Sequence, residues 1–275
     1  KSKTRAMGLH EGAGNVGMAL IPILITSVGL NFGWKYGFLI SGFISLIPLL
    51  FIPIVDKEYD KFQSLESDTL SLQAQLKSII KTLENPLVFM TYGILILTEA
   101  AALALDAFIP IGVAEIGNLK ETKILGLSLT GLFVSFMVLS GAPGSIYGGI
   151  IGEKLGLYKA LNIILIIQIP ILIILTITTG AWFLVLALFV RVLSNMKSPL
   201  NNALIGENIP IDMHGKGFSI MYGLGPIIAV LITLIGGAIA KVYGLNWVFA
   251  IIPIFLLISM PLIRLCSKRT EIKKY

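Results

Sequence analysis

The chain has 275 residues, 56% of them hydrophobic and only 13% charged, with a net charge of +6 and a mean hydropathy of +0.90. A soluble domain carries about 25% charged residues, so the water-facing area is small. A soluble enzyme, a nucleic-acid-binding module and a disulfide-stapled secreted domain are all poor fits, the last because Cys266 is the one cysteine.

A membrane-crossing helix needs about 20 apolar residues. Eight segments meet that length, approximately Ala6–Leu30, Trp34–Val55, Leu87–Val113, Ile124–Gly149, Leu157–Thr178, Trp182–Leu204, Gly217–Val242 and Trp247–Leu265, here called spans one to eight. Each is apolar on both parities, which excludes the alternating pattern of a membrane β-barrel. Closed helices then satisfy the backbone in lipid, and the expected fold class is an all-α membrane protein with eight transmembrane helices. The opening segment is Gly-rich and carries Glu11, unlike a cleavable signal peptide.

Short, nearly charge-free connections (Asn31–Gly33, Thr179–Ala181, Gly244–Asn246) alternate with basic ones. Sixteen Lys and Arg residues fall on the basic side, Lys197 among them, and Lys35, Lys120, Lys123 and Lys241 on the other. That imbalance places the central linker and the C-terminus in the cytoplasm of a cell that holds the protein in its plasma membrane. The linker, Asp56–Asn85, has Leu72, Leu76, Ile79, Ile80 and Leu83 on one helical face and reads as a surface amphipathic helix. Asn85-Pro86 is a cap and first turn for span three. Trp34, Trp182 and Trp247 begin spans and read as interfacial anchors.

Glycines recur every fourth residue in span four (Gly144, Gly148, Gly152, Gly156), and Gly8, Gly12, Gly14 and Gly17 punctuate span one ahead of Pro22. Such stripes let another helix approach closely. Ionisable residues at mid-membrane cost at least about 2.5–3.5 kcal/mol each and are functional hypotheses by default. Glu99, Asp106 and Arg191 qualify. Glu99 lies about 18 Å into span three and Arg191 about 14 Å into span six from the opposite side, at 1.5 Å per residue. The two are therefore expected to face one cavity and to pair, with Asp106 two turns nearer the outside. Glu99 and Asp106 are candidates for proton uptake and release, and Arg191 for an anionic solute group or a carboxylate. Asn195 extends the polar face of Arg191, and Tyr92 and Gln168 are further cavity candidates, with helix-to-helix hydrogen bonding as the ordinary alternative.

An internal repeat runs through the chain. Lys3-Thr4-Arg5-Ala6-Met7-Gly8 can be laid on His214-Gly215-Lys216-Gly217-Phe218-Ser219 at an offset of 211, and Trp34 on Trp247 at 213. Spans one and two thus look like counterparts of spans seven and eight.

Three motifs resemble the major facilitator superfamily of secondary transporters. Gly149-Ile150-Ile151-Gly152-Glu153-Lys154-Leu155-Gly156 is similar to that family's loop motif, Gly-x-Leu-x-Asp-Arg-x-Gly-Arg, with Leu157 and Tyr158 at its last two basic positions. Glu207-Asn208-Ile209-Pro210, followed by Gly215-Lys216-Gly217, resembles the signature between the family's spans ten and eleven. Gly8, Gly17 and Ile21-Pro22 resemble the span-one motif of its proton-coupled exporters. The resemblance implies that the eight helices are spans five to twelve of twelve, so that four further helices would be needed for a complete transporter. Residues 1–55 would then end the N-terminal half, 56–85 be the linker and 86–275 the complete C-terminal half. It also implies a cytoplasmic gate built from Gly149, Glu153, Lys154, Gly156, Glu207, Arg5 and Lys216, with Glu207 as the partner of Lys154.

No nucleophile, metal-ligand cluster or phosphate loop stands out, and neither catalytic residue nor cofactor is expected. The resemblance implies transport of a small organic solute by alternating access, proton-coupled, as an efflux antiporter or a symporter. Two other readings stay open: an intramembrane enzyme using Glu99 and Asp106, and a non-transporting receptor or scaffold.

Overall fold

A computed structural model of the chain describes residues 2–51, 77, 81, 83–209 and 214–272. The amphipathic helix expected over the linker lies almost wholly outside the described residues. Among the described residues, eight helical stretches are long and apolar enough to cross a membrane: Thr4–Phe32, Trp34–Phe51, Pro86–Glu115, Leu129–Leu155, Leu157–Leu175, Gly180–Asn208, Phe218–Tyr243 and Leu245–Thr270. The expected all-α membrane bundle is what the chain forms.

Span one is two helices, Ser2–Met18 and Leu20–Phe32, meeting at Ala19. The break lies just ahead of Pro22, whose ring clashes with the carbonyl of residue i−4 and leaves it without a donor. Just after the proline, the Ile23 N–H donates across to Ser135 Oγ of span four at 3.0 Å. Gly33 and Gly244 end spans one and seven with φ of +101° and +99°. Their N–H groups donate to the Gly29 and Ala240 carbonyls respectively, both at 3.1 Å. The two glycines share the sequence offset of 211, so the repeat seen in the sequence recurs in turn geometry that only glycine adopts without strain.

Asn85 caps span three as expected: its side chain accepts from the Leu87 N–H at 3.0 Å, with Pro86 in the first turn. Asn85→Ala is expected to cost about 1 kcal/mol, read as a lower thermal unfolding temperature of the purified protein in detergent. Span four starts at Leu129 and not at Ile124. Lys123–Ile124 instead pairs antiparallel with Leu127–Ser128 across Leu125 and Gly126, both at positive φ, a turn that suits a two-residue hairpin.

Span four packs chiefly on spans one and six, span three on spans seven and eight, and span eight also on span five. The core lies among spans three, five, six and eight, where Leu95, Ala100, Leu161, Phe183, Leu200 and Phe249 are sealed. Apolar side chains on the outer faces of most spans are exposed, as expected of surfaces that lipid covers.

The glycine stripes sort by partner. A Cβ on Gly144 would stand 2.7 Å from Val192 O, and one on Gly148 would collide with the Met196 backbone, so these two hold span six. Gly152 meets Leu200 of span six and Thr4 of span one, and Gly149 meets the Thr4 and Arg5 backbone. From the other side, a Cβ on Gly8 would stand 2.6 Å from Ser145 O, and one on Gly12 3.2 Å from Ala142 O. Gly17 does not belong to this set: a Cβ there, or on Gly14, would meet nothing within 4 Å.

Candidate functional site

Spans three and six run antiparallel in a readable register. Asn208 Nδ2 donates to Thr91 Oγ1 and Asn201 Nδ2 to Thr98 Oγ1, each at 3.0 Å. Their residue numbers sum to a constant, as antiparallel neighbours must. Continuing that register sets Glu99 near the level of Lys197 and Asp106 near the level of Arg191. The two levels are six to seven residues apart, about 10 Å along a helix.

A cavity of about 190 Å³ opens between these spans and span one. Glu11 and Asn15 line it from span one, Thr98, Glu99 and Asp106 from span three, and Arg191, Ser194, Asn195, Lys197, Ser198 and Asn201 from span six. Glu99 and Arg191 share this cavity, as expected. They do not pair with each other, however. Arg191 Nη1 donates to Asp106 Oδ1 in an ion pair. Depth alone put Arg191 level with Glu99, whereas the helix register puts it opposite Asp106.

The ion pair also lines a second space. A cavity of about 220 Å³ is lined by Pro22, Ile109, Pro110, Val134, Met137 and Val138, with Asp106 and Arg191 as its charged lining. Asp106 and Arg191 are thus shared by a polar chamber and an apolar one.

Lys197 is the residue that sequence reasoning misplaced. It was counted among the cytoplasmic charges, yet it lies inside span six with 1% exposure. It lines the polar cavity, and its buried ammonium has no hydrogen-bond partner among the described residues. The signal was available: Arg191 and Lys197 are six residues apart on span six, as Asp106 and Glu99 are seven apart on span three.

A seam of amides ties span one to the cavity wall. Asn15 Nδ2 donates to Asn195 Oδ1 at 2.9 Å and to Ser145 Oγ at 3.3 Å. Asn202 Nδ2 donates to Glu11 Oε1 at 2.6 Å. Pro199 leaves the Asn195 carbonyl without its helical donor, and Ser145 Oγ donates to it at 3.3 Å. Gly225 of span seven would place a Cβ 3.1 Å from Glu99 Cγ, so its lack of a side chain leaves room for Glu99.

Two sequence candidates are not in the cavity. Gln168 is fully buried and its Nε2 donates to Ser194 Oγ at 2.8 Å, a helix-to-helix bond. Tyr92 is 4% exposed within the apolar core, two helical turns from Glu99 toward the end of span three. The gate residues are only partly assembled. Gly156, with φ of +84°, makes the turn between spans four and five, and Gly149 touches the backbone beside Arg5. Glu153 is half-buried, while Arg5, Lys154 and Glu207 are exposed. No Lys154–Glu207 pair forms, because both side chains point into open surroundings at helix ends; Arg191–Asp106 is the ion pair among the described residues. The Lys216 side chain lies outside the described residues.

A search of curated proteins finds no match to the chain. The family model described as Major Facilitator Superfamily matches residues 1–210. That match covers both spans before the linker and the whole charged cavity, and it agrees with the eight long apolar helices among the described residues and the polar cavity between spans one, three and six. The chain therefore belongs to the major facilitator superfamily and is a multi-pass membrane transporter.

Proposed function

We propose that the chain serves in carrying a small organic solute across the bilayer by alternating access, driven by a proton gradient, together with the four further helices that the family pattern calls for. The observation that carries this reading is the polar cavity, which gathers Glu11, Glu99, Asp106, Arg191 and Lys197 in a span bundle that otherwise has an apolar core. Charges at that depth are costly and persist where they do work. Glu99 is the proton carrier in this scheme, since it lines the cavity and has no ion-pair partner among the described residues. The Arg191–Asp106 pair is the divider between the polar chamber and the apolar one beyond it.

Residues 1–55 and 86–275 act as parts of two halves joined by the linker at 56–85. The surface on which they move is the contact of span one with span four, where Gly8 and Gly12 leave a smooth backbone face. The positive-inside imbalance orients the linker, the Gly156 turn and the C-terminus to the cytoplasm.

Glu99→Gln tests the coupling. In proteoliposomes loaded with a pH-sensitive dye, small organic acids and amines are offered as probes under an imposed pH gradient. The variant is expected to lose gradient-driven accumulation at least tenfold while solute exchange at equal pH continues. Undiminished accumulation by the variant removes Glu99 from the coupling role.

A further inference from the structure

Lys197 is a buried ammonium. Its residue is 1% exposed and Nζ has no hydrogen-bond partner among the described residues. Leaving a charge in that condition costs several kcal/mol, and the cavity it faces has room for about six water-sized groups at roughly 30 Å³ each. The other cation at the cavity is already engaged, because Arg191 donates to Asp106. Of the three carboxylates there, Asp106 is held by Arg191 and Glu11 accepts from Asn202. Glu99 remains, and it interacts electrostatically with Lys197 without a hydrogen bond between them.

We infer that Lys197 is the docking point for the acidic group of the transported solute, which is a small organic monocarboxylate that enters together with one proton. One unpaired ammonium matches one anionic group. When Glu99 is ionised, its charge compensates Lys197 through space. When Glu99 is protonated, Lys197 is left uncompensated until the solute carboxylate takes that place. One proton and one monovalent anion therefore bind together, the charge of the cavity is unchanged, and each ligand favours the other by linkage. The titratable and charged groups facing this pair are Glu11 of span one, Asp106 and Arg191 of spans three and six, and Tyr222 of span seven. The amide of the same solute can accept a hydrogen bond but lacks the charge, and leaves the Lys197 charge uncompensated.

The inference rests on the transport reading for its meaning but not for its test. The purified full chain in nanodiscs is mixed with acetate, lactate or benzoate, and with acetamide, lactamide or benzamide. Thermal stabilisation reads binding of the folded state. At least one acid is expected to raise the unfolding temperature where its amide does not, with the shift growing as pH falls. Lys197→Met is expected to lose that shift, Lys197→Arg to retain it, and Glu99→Gln to bind the acid with no pH dependence. Helical circular dichroism confirms that each variant is folded. Acids and amides acting alike, or a full acid shift in Lys197→Met, overturns the assignment. Acid binding without gradient-driven uptake in liposomes leaves Lys197 as the anion site and removes proton-driven transport. Uptake of neutral solutes alone does the reverse.

Discussion

Arg191→Ala is expected to reduce gradient-driven solute uptake by tenfold or more per folded molecule. The guanidinium is the partner of Asp106, and Arg191 lines both the polar and the apolar cavity. Removing it joins the two spaces and leaves Asp106 without its cation. Breaking a dry ion pair costs about 3–5 kcal/mol. Here the Asp106 side chain keeps 47% exposure, toward the cavities, so a coupling energy of about 1–3 kcal/mol is the appropriate expectation. Each 1.4 kcal/mol is about a factor of ten, which sets the size of the effect.

A double-mutant cycle separates function from bracing. Asp106→Asn and Arg191→Ala should each impair uptake, and the double variant should be no worse than the more impaired single one. Arg191→Lys should recover only part of the loss, since an ammonium keeps the charge but not the planar fork. If Arg191→Ala lowers the unfolding temperature and leaves uptake per folded molecule unchanged, the pair is a brace and not a divider.

The spans themselves were legible because hydropathy and length are all that a membrane helix needs. The repeat was legible too, in the paired segments at 3–8 and 214–219, and Gly33 and Gly244 carry it into turn geometry, with φ near +100° that favours glycine. What depth arithmetic missed was the pairing. Counting residues from a span end carries an error of a few residues, each about 1.5 Å along the axis, and tilt adds to it. That is enough to exchange Glu99 for Asp106 as the partner of Arg191. Lys197 was missed for a related reason. A positive charge near a polar stretch, here Ser198 to Asn202, reads as a helix end, whereas the stretch is helical and two of its residues, Ser198 and Asn201, line the cavity. Gln168 and Tyr92 show the opposite limit: a polar residue in a span is visible in sequence, but the face it occupies is fixed only by packing. For the glycines, the four-residue spacing announced a groove without naming its occupant. Span four turned out to have two such surfaces, one for span six and one for span one.

Those two surfaces give the sharpest stability expectation. Gly148→Ala should lower the thermal unfolding temperature by several degrees, and Gly144→Ala by a similar amount. The added methyl at Gly148 would stand 2.8 Å from Met196 Cα, and that at Gly144 2.7 Å from Val192 O. Both neighbours are backbone, which no rotamer change can move aside. Relief requires spans four and six to separate, and overpacking of this kind costs about 1–3 kcal/mol. For a chain of this size each 1 kcal/mol shifts the midpoint by about 2–4 °C. Gly17→Ala is the control. Nothing lies within 4 Å of its Cβ position, so it gains helix propensity, worth up to about 1 kcal/mol, without a clash. The two classes of variant should therefore move the midpoint in opposite directions. Function should follow the same division, because Met196 is the immediate neighbour of Lys197 and Asn195, and the Ser145–Asn195 bond closes this contact. Pushing span six off span four shifts the ammonium and the amide seam together. Unfolding midpoints for Gly148→Ala and Gly17→Ala that coincide would show that the contact between spans four and six is looser than its geometry implies.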